Sequence, residues 1–282
     1  RSSIANGNIT QASALTVSSS NGTINCYGGT TTVNISANGG TAPYTGTGTY
    51  TLSAGSYSFV VTDANGCSSN INGNITQPSV LSASAVNGNI NCNGGTTTVN
   101  VSANGGTAPY TGTGNFTVNA GPYSFTVTDS KGCSAIASGS ISQPSALTVS
   151  SSNGTINCYG GTTTINISAN GGTAPYTGTG TFTRTAGVHS FTVSDSQGCT
   201  AFITKTLSQP SQLTASAISG TIACGGTTTV NISASGGTAP YTGVGIYTVI
   251  AGPHTFTVSD AGACTAVVNG IITQPSALSA SA

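Results

Sequence analysis

Apolar and polar side chains alternate along this chain with a period of two. In "TTTVNIS", Thr31, Val33 and Ile35 point one way, and Thr32, Asn34 and Ser36 the other. In "YSFVVTD", Tyr57, Phe59 and Val61 share a face; in "NINGNITQ", Ile71 and Ile75 do, with Gly73 between them. Leu15 and Val17 mark an opening strand. Alternation of this kind is the mark of half-buried strands, because successive side chains leave a strand on opposite faces. Gly, Asn and Pro break the pattern at turn spacing. The predicted strands cover about 14–18 with a further stretch over 22–26, then 30–37, 43–46, 49–53, 56–62 and 68–76. No stretch carries helical periodicity.

The same pattern recurs at a fixed interval. "CYGGTTTVNISANGGTAPYTGTGTYT" begins at Cys26, and close copies begin at Cys92, Cys158 and Cys224. A second cysteine series follows at Cys67, Cys133, Cys199 and Cys264, and the fourth copy lacks one residue after its first cysteine. "QPS" closes the copies at Gln77, Gln143, Gln209 and Gln274, with "QAS" at Gln11. A period this long describes small domains in tandem. The expected organisation is repeats over 12–77, 78–143, 144–209 and 210–274. Residues 1–11 match the trailing strand of a preceding repeat, and 275–282 match the start of a following one. Short strands with frequent turns fit an all-β fold of four small immunoglobulin-like sandwiches. The near absence of spacer in "ITQPSALTV", stiffened by proline, predicts a head-to-tail rod.

Charge removes several functions. Only four Lys+Arg and four Asp+Glu occur in 282 residues. No basic patch can form, which excludes phosphate-driven nucleic-acid binding and attraction to anionic membranes. No apolar run approaches the length of a membrane span. Eight cysteines at regular spacing read as disulfides in an oxidising, extracellular setting. Zinc would need tight ligand pairs, and there is no C-x-x-C.

The ordered set C-x-G-G, "GGTAPYT", "AG-x-Y-x-F-x-V-T-D-x-x-G-C" and "ITQPS" resembles the SprB-type repeat of very large bacterial surface adhesins. The likeness covers all four copies and both partial ends. It departs after "PYT", where such repeats commonly carry Tyr-x-Trp; here "TGTGTYT" stands and tryptophan is absent. The resemblance implies an extracellular, cell-surface, adhesive or filament-forming role without catalysis or cofactor. Its partners would be further copies of the repeat head-to-tail, with lateral self-association and surface glycans as additional possibilities.

The residues themselves support no catalytic, cofactor-binding or metal site. Asp63, Asp129, Asp195 and Asp260 are the only acids, each four residues before a second-series cysteine. Calcium wants several carboxylates; one Asp at a repeated turn reads instead as a cap that accepts backbone N–H bonds. His189 and His254 occupy the position of Tyr57 and Tyr123, which points to packing. General acid–base work needs Asp, Glu or His brought together, and no glutamate is present. Tyr44, Tyr110, Tyr176 and Tyr241 recur in "APYTG" as core or as a binding platform. Nine Asn-x-Ser/Thr sequons, including Asn34, Asn100, Asn166 and Asn231, suit the composition without requiring glycans. Thr-rich strands offer a hydroxyl array to ice or glycan, an alternative to the structural role.

The cysteine pairing follows from topology. In an immunoglobulin-like sandwich the strands at 30–37 and 56–62 run the same way in facing sheets. Cys26 precedes the first and Cys67 follows the second, so they lie at opposite ends. An eight-residue strand spans about 26 Å, whereas bonded cysteines need Cα atoms within about 7 Å. In a head-to-tail array Cys26 meets Cys133, Cys92 meets Cys199, and Cys158 meets Cys264. Cys67 and Cys224 are then unpaired, or paired outside these 282 residues. A different strand order would instead join Cys26 to Cys67.

Overall fold

The computed structural model describes residues 1–276 apart from 5, 9 and 224. Twenty-one strands occur among them and no helix. The chain divides into two compact units, Arg1–Ile90 with Gly94–Gln143, and Asn91–Asn93 with Pro144–Ala282.

In the first unit, one sandwich is built from β1 (Thr16–Asn21), β2 (Thr30–Asn38), β3 (Gly48–Ser53), β4 (Gly55–Thr62) and β5 (Ser68–Ile75). The next has β6 (Ser82–Asn87), β7 (Thr96–Asn104), β8 (Tyr110–Thr111), β9 (Gly114–Asn119), β10 (Gly121–Asp129) and β11 (Ser134–Ile141). The second unit repeats the design. Its strands are β12 (Thr148–Asn153), β13 (Thr162–Asn170), β14 (Gly180–Thr185), β15 (Gly187–Ser194) and β16 (Thr200–Leu207), then β17 (Thr214–Ser219), β18 (Thr228–Ser235), β19 (Gly245–Val249), β20 (Gly252–Ser259) and β21 (Thr265–Ile272).

Each sandwich has one antiparallel sheet of order β1-β2-β3 and another of order β5-β4, or the equivalents of these. The second sheet gains a third member from the "PYTG" segment. It is the two-residue β8 in one sandwich and a single bridge in the others: Thr45 to Thr62, Thr177 to Ser194 and Thr242 to Ser259. This division of strands is that of an immunoglobulin-like sandwich. Four such sandwiches make the chain all-β.

Alternation explains the core. Thr31, Val33 and Ile35 on β2 are buried while Thr32, Asn34 and Ser36 face water. Val61 and Ile75 meet them from the other sheet, with Val17, Tyr44, Tyr50, Phe59 and Ile71 around the edge. The expected strand over 22–26 does not form. The Gly22 N–H donates to Thr32 O as a last rung (2.9 Å). Beyond it the chain leaves the sheet so that Ile24 can enter the core. Burial of one isoleucine, worth about 1.5–3 kcal/mol, outweighs the few further rungs an extension would add.

The Tyr of each "APYTG" belongs to the core edge. The Tyr44 hydroxyl donates to Gly39 O (2.7 Å), and Tyr110, Tyr176 and Tyr241 do the same to Gly105, Gly171 and Gly236. A half-buried ring whose hydroxyl is held by backbone cannot also serve as an open platform.

Candidate functional site

The residues singled out by the sequence converge where one sandwich follows another. Each of the four acids is buried at the turn after the β4-type strand. Asp63 Oδ1 accepts from the N–H of Asn65 (3.0 Å) and Cys67 (2.9 Å), and Oδ2 from Thr41 N–H (3.0 Å). The carboxylate thus ties the "GGTAP" loop to the hairpin turn that presents the cysteine. Asp129, Asp195 and Asp260 hold Cys133, Cys199 and Cys264 the same way, each at 2.9 Å. Gly40 makes this approach possible: its φ is +59°, and a Cβ there would stand 2.7 Å from Asp63 Oδ2.

Those N–H groups set the charge state. The Thr41 amide, helped by Cys67, Asn65 and Gly66, holds the Asp63 carboxyl below its ordinary 3.8 against the opposing effect of burial. At Asp260 the Thr238 amide leads in the same way. At Asp129 and Asp195 burial is the largest influence and pushes upward. The combined amides, led by Thr107 and Thr173, still bring the net shift below 3.8.

The turns place three cysteines against the loops that open the preceding copies. Cys26 is bonded to Cys133, Cys92 to Cys199 and Cys158 to Cys264, with Cα–Cα distances of 5.6 Å in all three. Around each bond the chain contacts repeat. The Sγ of Cys133 lies 3.2 Å from Asn25 O, that of Cys199 3.3 Å from Asn91 O, and that of Cys264 3.2 Å from Asn157 O. Cys67 is free and exposed. Cys224 lies outside the described residues.

One participant was quoted in the sequence only as a boundary marker. Gln77 Oε1 accepts from Gly28 N–H (2.7 Å), Gln143 from Gly94 (2.7 Å) and Gln209 from Gly160 (2.8 Å). In the first three copies the glutamine of "QPS" therefore braces the C-x-G-G loop against the link that starts the next copy. Its signal was its place before proline at the close of all four copies.

The remaining candidates have structural partners. His189 and His254 are half-buried, and each Nε2–H donates to a backbone carbonyl, Thr185 O (2.9 Å) and Ile250 O (2.8 Å). Asn34 and its copies stand exposed at the middle of the β1-β2-β3 type of sheet; Asn100 donates to Asn115 Oδ1 (2.6 Å). Among the described residues no three of His, Cys, Asp and Glu gather as metal ligands. No helix of the described residues is long and apolar enough to cross a membrane.

The class is thus defined by topology: tandem immunoglobulin-like sandwiches with disulfides between consecutive copies. No family model matches the chain, and no curated protein does. Solved structures similar to it include the N-terminal eight Ig domains of Down Syndrome Cell Adhesion Molecule isoform 1.30.30, at 10% identity and TM-score 0.26. That match covers 92% of this chain and 56% of that one, so this chain spans little more than half the eight-domain structure. The N-terminal four Ig domains of Dscam1 isoform 6.44 match at 10% identity and TM-score 0.21, over 87% and 95% of the two chains. A structure concerned with Dscam isoform specificity matches at 10% and 0.22, over 93% and 100%.

Proposed function

We propose that this chain is a structural and adhesive segment of an extracellular bacterial surface fibre of the SprB-repeat kind, a stiff rod stapled by disulfides. The observation that carries this reading is the series of three bonds, each joining a copy to the next. Disulfides persist in oxidising compartments. A bond at the joint, rather than within a sandwich, resists separation of neighbours under pull. The four buried carboxylates are committed to backbone amides, so they organise joints and leave no acid free for chemistry. The partners under this reading are further copies of the repeat.

The test is surface labelling. An antibody against the chain is expected to label intact source cells and to decorate filaments in electron microscopy. Labelling that appears only after lysis sinks the proposal.

A second reading has its own observation. The outer face of the β1-β2-β3 sheet is a carpet of Thr, Ser and Asn, cross-braced by hydroxyl pairs such as Ser18–Ser36 (2.8 Å) and Ser150–Ser168 (2.8 Å). Such an uncharged face suits glycan or ice. Retention of the chain on a glycan array would favour it.

A further inference from the structure

One layer of the third sandwich departs from its counterparts. Register pairs Thr163 with Arg184 in one sheet and His189 with Lys205 in the other. The same layer is Thr31, Leu52, Tyr57 and Gly73 in the first sandwich, and Thr97, Val118, Tyr123 and Gly139 in the second. In the fourth it is Thr228, Val249, His254 and Gly270. Two of the chain's four Lys+Arg thus fall in a single layer of one sandwich. They stand on the inward faces of β14 and β16, where the other copies carry an apolar side chain and a glycine.

Arg184, His189 and Lys205 are all half-buried. The Arg184 guanidinium lies over the rings of Phe182 (5.4 Å to the centroid) and Phe191 (5.6 Å). Those rings meet across the sandwich at 5.2 Å. The guanidinium therefore reaches from β14 toward the sheet that carries His189 and Lys205. Stacking occupies the faces of the fork, and Thr183 O accepts one N–H (2.9 Å), which leaves further donors at its edge. His189 precedes Phe191 on the same face of β15, and its Nε2 is held by Thr185 O, next to Arg184 (2.9 Å). Lys205 is directly opposite His189 on β16, a placement that puts Cβ atoms about 4.5–5.5 Å apart.

The sandwich supplies no counter-charge of its own. Its one acid, Asp195, follows the far end of β15, about 20 Å along the strand from His189 at roughly 3.3 Å per residue. The Asp195 oxygens accept from Thr173, Gln197 and Cys199 N–H. The other aspartates are buried and held alike, and no glutamate is present, so the side chains of a second copy offer no anion either. Stem packing accounts for one basic residue at a core edge, because the head stays in water. It does not account for two brought into one layer, where like charges repel.

We propose that this layer of the third sandwich binds one oxyanion group, a carboxylate or sulfate, with the Arg184 fork taking two of its oxygens and Lys205 adding a point charge. A free ion and an acidic sugar share this chemistry. Exposed Thr183, Thr185, Thr204 and Thr206 adjoin the cations in sequence and suit the hydroxyls of a sugar. Two cations serve one such group and fall far short of the row of phosphate contacts that nucleic acid needs. The inference rests on the register of one sandwich and not on the surface-fibre reading.

The experiment follows the whole isotope-labelled chain by NMR during titration with sodium sulfate, sodium acetate and sodium glucuronate. Chloride keeps the ionic strength constant, so general screening does not change. Saturable shifts are expected at the Arg184 side chain and at the amides of Arg184, His189 and Lys205. The fourth sandwich is a built-in control, because it keeps the histidine without the two cations. Arg184→Val and Lys205→Gly each install the residue found there, so the fold accommodates them. Arg184→Val should weaken binding about tenfold, and the double variant should abolish it while its thermal melt stays cooperative. Glucuronate binding more tightly than acetate identifies an acidic sugar as the bearer of the group; equal binding identifies the free ion. Three results would overturn the proposal: no saturable shift, equal shifts in all four sandwiches, or unchanged binding by the double variant. Cell labelling tests the surface-fibre reading separately.

Discussion

The first two sandwiches and the last two fill one position differently. Tyr57 and Tyr123 occupy it in the first unit, His189 and His254 in the second. The tyrosines reach across to the facing sheet. Tyr57 Oη is hydrogen-bonded to Ser19 Oγ (3.0 Å) and Asn21 Oδ1 (2.7 Å), and Tyr123 donates to Asn87 Oδ1 (2.6 Å). The histidines turn instead to a carbonyl four residues back. The partner across the strand pair changes with them: Gly73 and Gly139 face the tyrosines, Lys205 and Gly270 the histidines. A Cβ on Gly73 would meet the Tyr57 ring at 2.3 Å, and one on Gly139 would meet Tyr123 Oη at 2.5 Å; one on Gly270 meets nothing within 4 Å. The glycine of the first unit is thus demanded by the ring lying over it, and the one at 270 is not. Residues that look equally repeated in sequence are under unequal constraint.

The largest effect should come from removing what both units share. Each bridge closes a loop of more than 100 residues (separations of 107, 107 and 106). By loop-closure entropy each, taken alone, is worth about 4.8 kcal/mol. Reduction should lower the urea midpoint of the whole chain and let the sandwiches unfold in separate steps. An unchanged midpoint would show that the bonds do not restrain the unfolded chain.

Next comes the glycine pair, which breaks or keeps the comparison directly. Gly73→Ala should cost about 1–3 kcal/mol through overpacking against Tyr57. Gly270→Ala should be neutral, or stabilise by up to about 1 kcal/mol by stiffening the unfolded chain. Equal effects in denaturant melts of the reduced protein would erase the distinction. A smaller change is expected from Tyr57→Phe, about 1 kcal/mol for the lost cross-sheet hydrogen bonds. Hydrogen exchange in β1 should rise with it, while the last two sandwiches keep their protection.

The pH response should not differ between the units. All four Asp have folded-state values below 3.8. Their contribution is therefore fully present above the unfolded-state value and is lost as pH falls from 3.8 through the folded values. Thermal melts at neutral pH and near pH 2 should show the loss in every sandwich. A loss confined to one unit would mean that the Asp-held turns are not equivalent.

Strands were legible because burial imposes a period of two: the stretch expected over 30–37 is Thr30–Asn38. The strand over 43–46 was overdrawn, because four residues carry too little alternation to reveal that only Thr45 pairs. The 22–26 stretch misled because an isoleucine spaced like a strand residue enters the core from a loop. At the joint, the acids were visible as turn residues by their fixed distance from cysteine. The glutamine brace was not, because its partner, Gly28 for Gln77, lies 49 residues away and any polar side chain before proline looks like a linker. The direction in which Tyr44 points was equally invisible, since half-buried aromatics serve cores and platforms alike.

The three bonds overlap along the chain: 26 to 133, 92 to 199 and 158 to 264. Every peptide bond between Cys26 and Cys264 therefore lies inside at least one closed ring. A protease that cuts once anywhere in that stretch leaves a single covalent molecule. The shortest covalent route from end to end runs through residues 1–26, 133–158 and 264–282 alone. Fully stretched it reaches roughly 250 Å, against roughly 1,000 Å for the reduced chain at about 3.5 Å per residue. A chain bonded this way tolerates isolated cleavage and yields little length under tension, because its backbone is no longer its only thread.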